Sequence, residues 1–272
     1  MMQPSDEGFK LDKEEVAEFK SFGRYTIAVF LFIVVGFLAL SYVIEHKFLN
    51  MSFAEEVRWG QRMLSSRIKD SKKLEDEPRL ITVHKLTFDM LPNDEVMDAA
   101  QVYLYPKKYS NAFIGPGAQI FVTEGLLSSL ESENELAFVL GHEVGHYVLN
   151  HVIKGAAQNR SRLAMNFVAF FLPDPIGSWV GNSVDLLSFK FSRDQESAAD
   201  RFALEQMMKQ YGHINHATRF FEKSTQSRGF LREYKSTHPN SEKRIKQIKK
   251  WSQDKDWPLD GDLTPLPKAF SI

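Results

Sequence analysis

Cysteine is absent from this chain of 272 residues. The sequence therefore excludes a disulfide framework and any thiolate metal site, so a bound metal ion would need histidine and carboxylate ligands. A strong net charge is also missing, because 34 basic residues nearly balance 35 acidic ones. Near neutrality gives no indication of a nucleic-acid partner, and we expect none. The 43% hydrophobic content is typical of one or two globular domains.

One apolar run interrupts this ordinary composition. Residues 25–44 carry no charged side chain and lie between Arg24 and Glu45. Twenty helical residues span about 30 Å, the thickness of a bilayer core, so the run predicts a transmembrane helix that brings the chain to a lipid bilayer. A cleaved signal peptide is the alternative. The polar tail at 1–24 carries six acidic residues and the run is longer than a usual signal peptide, so an anchor is favoured.

The charges that flank the apolar run indicate its orientation only weakly. Four basic residues precede it and three follow within a similar distance, namely Lys10, Lys13, Lys20 and Arg24 before it and Lys47, Arg58 and Arg62 after it. By the positive-inside rule, this small excess favours a cytoplasmic amino terminus. We therefore expect a single-pass membrane protein with its catalytic domain on the extracytoplasmic side.

Beyond the run, the pattern is mainly helical with a small sheet, an α+β class. We expect one domain over 45–257 and a proline-rich tail over 258–272. Capping boxes are expected at Ser52 with Glu55, Ser132 with Glu135, and Ser192 with Gln195. Helices are predicted over 53–69, 132–154, 192–208 and 243–251, and strands over 81–86, 99–105 and 119–123. The apolar segment 163–172 is too short to cross a bilayer and predicts a buried or interfacial helix.

The second of these helices carries the sequence His142-Glu143-Val144-Gly145-His146. Histidines four residues apart lie on one helix face, so both imidazoles can reach the same metal ion. Glu143 can then act as the general base on a water molecule at that metal, as in the HExxH signature of zinc hydrolases. A chance match on a solvated helix face is the alternative, so the surrounding sequence must decide.

A hydrolytic zinc site needs a third protein ligand and one open position. Glu196 is the best candidate, and Asp200 follows it one turn later on the same predicted helix. Asp200 could accept a hydrogen bond from the free ring N–H of a ligand histidine and fix its orientation. His151 lies nine residues after His142, which in an unbroken helix is the opposite face, so we do not expect it to be a ligand.

Four motifs now stand in order along the chain: Asn-Ala-Phe at 111–113, HExxH at 142–146, ExxAD at 196–200 and His-Pro at 238–239. With them, residues 50–250 resemble the M48 peptidases, the family of Ste24, HtpX and Oma1. One departure is the sequence Ile-Gly-Pro-Gly-Ala at 114–118, where many members carry Pro-Gly-Gly. The substrate cleft is therefore expected to differ in shape.

The resemblance implies a gluzincin-type metalloprotease domain behind one amino-terminal transmembrane helix. It implies one zinc ion per chain, bound by His142, His146 and Glu196, with Glu143 as the base. We expect His238, ahead of Arg244, to stabilise the transition state. For His238, a turn-capping role before the proline is the alternative.

The substrate would lie along the sheet. We expect residues 119–123 to form an edge strand that holds an extended peptide by backbone pairing, with little sequence preference. The residues expected to bind substrate are Asn111, Ala112, Phe113, Gln119, Ile120 and Phe121.

The sequence thus predicts a membrane-anchored zinc metalloendopeptidase that hydrolyses protein substrates. Quality control of membrane or envelope proteins is a hypothesis from family analogy alone. The alternative is a zinc-containing, chaperone-like binding factor with a latent site, in which an extra histidine occupies the fourth zinc position.

Overall fold

The computed structural model describes residues 12–158, 191–226, 234, 238 and 241–270. The predicted helix at 163–172 lies outside the described residues. The described α-helices are α1 (Lys13–Leu49), α2 (Phe53–Met63), α3 (Ser65–Lys69), α4 (Arg79–Phe88), α5 (Asp94–Ala99), α6 (Glu124–Leu127), α7 (Glu133–Val148), α8 (His151–Gln158), α9 (Arg193–Tyr211), α10 (Arg219–Gln226) and α11 (Ser241–Asp254). Short 3-10 helices lie at Leu74–Asp76 and Lys268–Phe270.

The sheet has three strands, β1 (Gln101–Tyr105), β2 (Ala112–Gly115) and β3 (Gln119–Thr123). Their order is β1-β3-β2, with β1 parallel and β2 antiparallel to β3. The strand predicted over 119–123 is confirmed, but its expected place at the edge is wrong. Because β3 is paired along both sides, its backbone groups are already used in the sheet and cannot bind a peptide.

The strand predicted over 81–86 is also wrong, because these residues belong to α4. Leu80, Val83 and Thr87 are buried at a spacing of three and four residues, which is the periodicity of a helix face. Ile81 is 61% exposed on the other side. A short apolar run fits both periodicities, and packing on the domain core decides between them here.

The helix α1 contains the predicted anchor. Residues 16–49 are long and apolar enough to cross a membrane, and only 6% of the most apolar window is buried within the protein. Its last turn is attached to the domain, since Lys47 pairs with Glu55 and the ring of Phe48 meets Trp59 edge-on at 4.7 Å. The membrane helix therefore leads directly into α2.

The Gly-Pro-Gly turn between β2 and β3 lies against α2. A Cβ at Gly60 would overlap the carbonyl oxygen of Pro116, so glycine is required there for close approach. Gly117 has a φ of +68°, and its N–H donates to Glu56 at 2.7 Å. The segment that departs from the family pattern is thus in contact with the helix that follows α1.

The helices α7 and α9 pack closely and carry most of the site residues. A Cβ on Gly145 would lie 3.1 Å from the Cα of Ala199, and one on Gly141 would lie 3.0 Å from the Cα of Ala203. Small residues on both helices therefore bring the two backbones close together. Nearly all of α7 is buried as a result.

The helix predicted over 132–154 is in fact two helices. α7 ends at Val148, Asn150 has a φ of +58°, and α8 begins at His151. Asparagine is one of the few residues that adopts this left-handed conformation readily, so it can end one helix and redirect the chain into the next. The predicted helix over 53–69 is likewise interrupted at Leu64, between α2 and α3.

The capping boxes at Ser52 and Ser192 are complete. At Ser132 only half of the box forms, because its hydroxyl accepts from the backbone of Glu135 but the return bond is missing. The Glu135 carboxylate instead accepts from the backbone N–H of Glu131 at 2.9 Å and binds Lys223 at 2.8 Å.

The carboxy-terminal segment 258–270 lies along the domain. The backbone N–H of Glu133, at the start of α7, donates to the carbonyl of Thr264 at 2.9 Å. The Thr264 N–H in turn donates to the side chain of Asn134 at 2.8 Å. This segment therefore completes the first turn of α7.

Candidate metal centre and active site

Four buried ligand atoms come together at the junction of α7 and α9. They belong to His142, His146, Glu196 and His238, and they all lie within 4.8 Å of one another. With zinc bonds of about 2.0–2.1 Å, donors at the corners of a tetrahedron lie about 3.3 Å apart. The Nε2 atoms of the two α7 histidines are 3.1 Å apart. His142 Nε2 lies 3.6 Å from Glu196 Oε2, and His146 Nε2 lies 3.4 Å from the other oxygen, Oε1. The three predicted ligands therefore fit zinc.

The protonation of the two α7 histidines also suits a metal. Burial lowers the pKa of His142 well below its ordinary value, and neighbouring positive groups lower it further. Burial likewise lowers the pKa of His146 to about 4. Both imidazoles are therefore neutral near pH 7, which is the form that binds a metal ion.

Asp200 contacts His142 on the side of the ring away from the other donor atoms. Its Oδ1 is 3.0 Å from His142 Nδ1, so in the Nδ1–H tautomer the ring donates to Asp200 and directs Nε2 towards the other donors. The Nε of Arg244 donates to the second Asp200 oxygen at 2.8 Å. Its Nη1 lies 2.9 Å from Glu196 Oε2. Arg244 thus contacts both carboxylates, an arrangement that favours positioning of the ligands over the predicted contact with a transition state.

Glu143 is buried beside this cluster. Burial and the charge of Glu196 raise the pKa of its carboxyl to about 7, although His238 opposes the rise. A pKa near the working pH is what a general base needs. A cation bound nearby would lower this pKa again by favouring the charged carboxylate.

His238 reaches both the cluster and Glu143. Its Nδ1 lies 2.9 Å from Glu196 Oε1 and 3.2 Å from His142 Nε2. Its Nε2 lies 3.5 Å from Glu143 Oε1. Although burial alone would lower the pKa of His238, the two carboxylates raise it. The geometry fits either a hydrogen-bond donor to a reacting oxygen or a fourth metal ligand.

His151 lies at this site, although the helical spacing predicts it on the opposite face of the helix. Its Nδ1 lies 3.0 Å from the Nδ1 of His146, and its side chain is buried. The break at Asn150 redirects the chain, so that His151 contacts His146 on α7 instead of lying on the opposite face. The available signal was Asn150 itself, because a left-handed residue there breaks the assumed helix.

The predicted substrate residues divide between two strands. Gln119, Ile120 and Phe121 are buried in the central strand, which excludes the expected backbone pairing with substrate. Ala112 and Phe113 lie on β2, an edge strand of the described sheet, directly after Asn111.

The polar atoms left without partners support a metal centre. In the part of the chain that the structure describes, seven buried side-chain atoms make no hydrogen bond. Three of them belong to this site, namely Glu143 Oε1, Glu196 Oε2 and Arg244 Nη1. Another is Asn111 Oδ1, on the residue just before β2. Buried polar atoms normally have partners, so these atoms indicate that the site binds polar or charged species.

Comparison with known proteins agrees with this geometry. The chain is 35% identical over 148 residues to the mitochondrial metalloendopeptidase OMA1 of Schizosaccharomyces pombe, which covers 52% of this chain and 43% of that protein. It is 36% identical over 141 residues to its Arabidopsis thaliana counterpart, covering 51% and 28%. It is 30% identical over 153 residues to the metalloprotease LoiP of Escherichia coli, covering 54% and 60%.

The chain therefore spans less than half the length of the two OMA1 proteins. The profile of peptidase family M48 matches residues 82–252, which is more than half of the chain and includes every candidate metal ligand. On that match, the chain belongs to peptidase family M48.

Proposed function

We propose that this protein is a membrane-anchored zinc metalloendopeptidase that hydrolyses peptide bonds of protein substrates. The observation that carries the proposal is the convergence of His142, His146 and Glu196 at tetrahedral spacing, with Glu143 buried beside them. The relatives are named metalloendopeptidases or metalloproteases, which supports the same activity.

One zinc ion per chain would be held by His142, His146 and Glu196. When bound, it would supply Lewis-acid chemistry that activates water and polarises the scissile carbonyl. Glu143 takes a proton from the attacking water and returns it to the departing amine nitrogen, so the proton balance closes at the peptide bond. His238 donates a hydrogen bond to the carbonyl oxygen as negative charge develops there.

The edge strand β2 offers the substrate a place to bind. An extended peptide that pairs with the backbone of Ala112–Gly115 would lie beside α7, where the base is. Asn111 can supply a side-chain contact at the start of this strand, since its Oδ1 is buried and makes no hydrogen bond among the described residues. Backbone recognition of this kind would give weak sequence preference.

A second candidate function has one specific observation in its favour. A ligand atom of His238 and those of the other three residues all lie within 4.8 Å of one another. Four protein ligands could therefore bind one zinc ion and exclude water from it. The protein would then be a zinc-containing, chaperone-like factor that binds unfolded segments without cleaving them, or a latent form of the peptidase.

Cleavage of casein by the full chain in detergent decides between these functions. We expect Glu143→Gln to keep its zinc and lose about 10²–10⁴-fold in activity, since the base contributes on that scale. The matched control is Glu205→Gln, a change at an exposed glutamate on α9. Activity of Glu143→Gln within tenfold of wild type would contradict the mechanism. Casein binding without any cleavage by wild type would favour the second candidate.

The membrane location and orientation of the protein are also part of the proposal. We infer a single-pass membrane protein with the catalytic domain on the extracytoplasmic side, acting in quality control of membrane or envelope proteins. Because the chain has no cysteine, one introduced thiol can report its side of the membrane. We expect an impermeant maleimide added to intact cells or spheroplasts to label Lys249→Cys and to spare Ser5→Cys, and the reverse result would invert the orientation.

A further inference from the structure

A cavity of about 130 Å³ opens between the first two turns of α9 and those of α11. Arg193, Glu196 and Asp200 line it from α9, and Lys243 and Arg244 line it from α11. We call it the cationic pocket. Glu196 belongs both to its wall and to the metal cluster, so the pocket adjoins the reacting centre.

The charges of the cationic pocket do not cancel. Its acids are already engaged, because Asp200 is bound by Arg244 and by His142, and Glu196 belongs to the metal cluster. Arg193 and Lys243 are exposed, and neither has an ion pair within 4.0 Å among the described residues. The three basic and two acidic side chains that line the pocket therefore leave a formal net charge of +1.

Arg244 lines the same cavity and is held in place by Asp200 and Glu196. It is only 6% exposed, and its Nη1 makes no hydrogen bond among the described residues. That nitrogen lies 2.9 Å from Glu196 Oε2, but the two groups are not aligned for a hydrogen bond. A guanidinium group beside two exposed cations is an arrangement that binds carboxylates well.

We propose that the cationic pocket is a subsite for a carboxylate of the substrate. The carboxylate would lie within a few residues of the scissile bond, because the pocket shares Glu196 with the metal centre. It comes from an acidic side chain or from a free carboxyl terminus, which present the same group. The cavity has room for several water molecules, which this group would displace. The inference rests on the proposed peptidase function.

The test uses the full chain in detergent and a neutral peptide with one cleavage site. Glutamate replaces alanine at each position in turn, and a second pair of peptides ends in a free carboxylate or an amide. We expect kcat/KM to rise about tenfold for one glutamate position or for the free carboxylate, and this rise to shrink with added salt. The peptide that gains identifies the source of the carboxylate.

Charge reversal then connects this preference to the pocket. Arg193→Glu and Lys243→Glu should each remove it, and both replacements suit the first turn of a helix, where acidic residues are favourable. Lys249→Glu is the matched control, an equal charge change on the exposed face of α11 outside the pocket, and should keep the preference.

Binding of the same fluorescent peptides to Glu143→Gln, measured by anisotropy, repeats the test without catalysis. Equal cleavage and equal binding of all peptides would overturn the subsite and leave the peptidase intact. Absence of cleavage with charge-dependent binding would overturn the peptidase and leave the pocket as an anion site. A preference that survives both pocket reversals would place the carboxylate elsewhere and overturn the proposal.

Discussion

Two buried arginines in this protein each hold two carboxylates, but their surroundings differ. Arg79, on α4, binds Glu77 at 2.7 Å through Nε and Glu124 at 2.7 Å through Nη1, and its Nη2 donates to both. Arg244, on α11, binds Asp200 in the same forked manner and contacts Glu196. The two sites are almost equally buried, at 4% and 6% exposure of the arginine.

The two clusters differ in the number of polar atoms that make no hydrogen bond. None of the polar atoms of the Arg79 cluster lacks a hydrogen bond, whereas the Arg244 cluster leaves one arginine nitrogen and one Glu196 oxygen without any, as far as the structure is described. The Arg79 cluster is complete within the protein and ties the start of α4 to α6. Within the described residues, the Arg244 cluster thus keeps hydrogen-bonding capacity that a bound species could use, which is typical of a functional site.

The largest expected effect is a loss of zinc affinity that occurs on mutation of the Arg244 cluster and not of the Arg79 cluster. Glu196→Ala removes one of three ligands and should weaken zinc binding by on the order of a thousandfold, measured by competition with a chromogenic chelator. Glu77→Ala, the equivalent change in the Arg79 cluster, should leave zinc affinity unchanged. Equal zinc affinity in both variants would remove the functional distinction between the clusters.

The second effect concerns stability. Arg79→Met leaves two carboxylates without their cation and should lower the free energy of unfolding by about 2–3 kcal/mol. The value is below that of a fully buried pair because the Glu124 side chain is 39% exposed. Urea denaturation measures the loss, and zinc content serves as the control. A loss of zinc affinity together with stability would show that the Arg79 cluster also supports the metal centre.

The third effect is a smaller change at the metal centre. His151→Ala removes the group that fixes the ring of His146 and should weaken zinc binding about 10–100-fold. His151→Gln can still hydrogen-bond to His146, so we expect it to restore part of the affinity. His84→Ala, away from the cluster, is the matched control. An unchanged affinity in His151→Ala would make this contact incidental.

The smallest effect is a pH dependence of the Arg79 cluster. Hydrogen bonds from Arg79 hold the pKa of Glu77 and that of Glu124 below the ordinary value of 4.5. Their contribution to stability is therefore present above about pH 4.5 and is lost as the pH falls through the lowered values. The stability gap between wild type and Arg79→Met should therefore shrink as the pH falls from 6 to 3, as measured by urea denaturation, and a constant gap would assign it to packing.

Much of the site could be predicted from sequence because its spacing is local. The HExxH residues share one helix face, and Glu196 and Asp200 share another, so the helical period alone places each pair. The strand at 119–123 was found for the same reason. The prediction that residues 119–123 form an edge strand was wrong because strand order depends on long-range pairing. β1 pairs with β3 rather than with β2, so residues 119–121 lie in the central strand. His151 was missed because one backbone dihedral, at Asn150, ends the helix.

The hydrogen bond that joins Thr264 to Asn134 spans 130 residues of sequence. During synthesis, this hydrogen bond and the one between Glu133 and Thr264, both at the first turn of α7, cannot form until residue 264 has left the ribosome. Contacts of such long sequence separation form slowly, because a large loop must close first. The nascent chain therefore completes the first turn of α7 only after residue 264 has emerged, well after α1 has emerged.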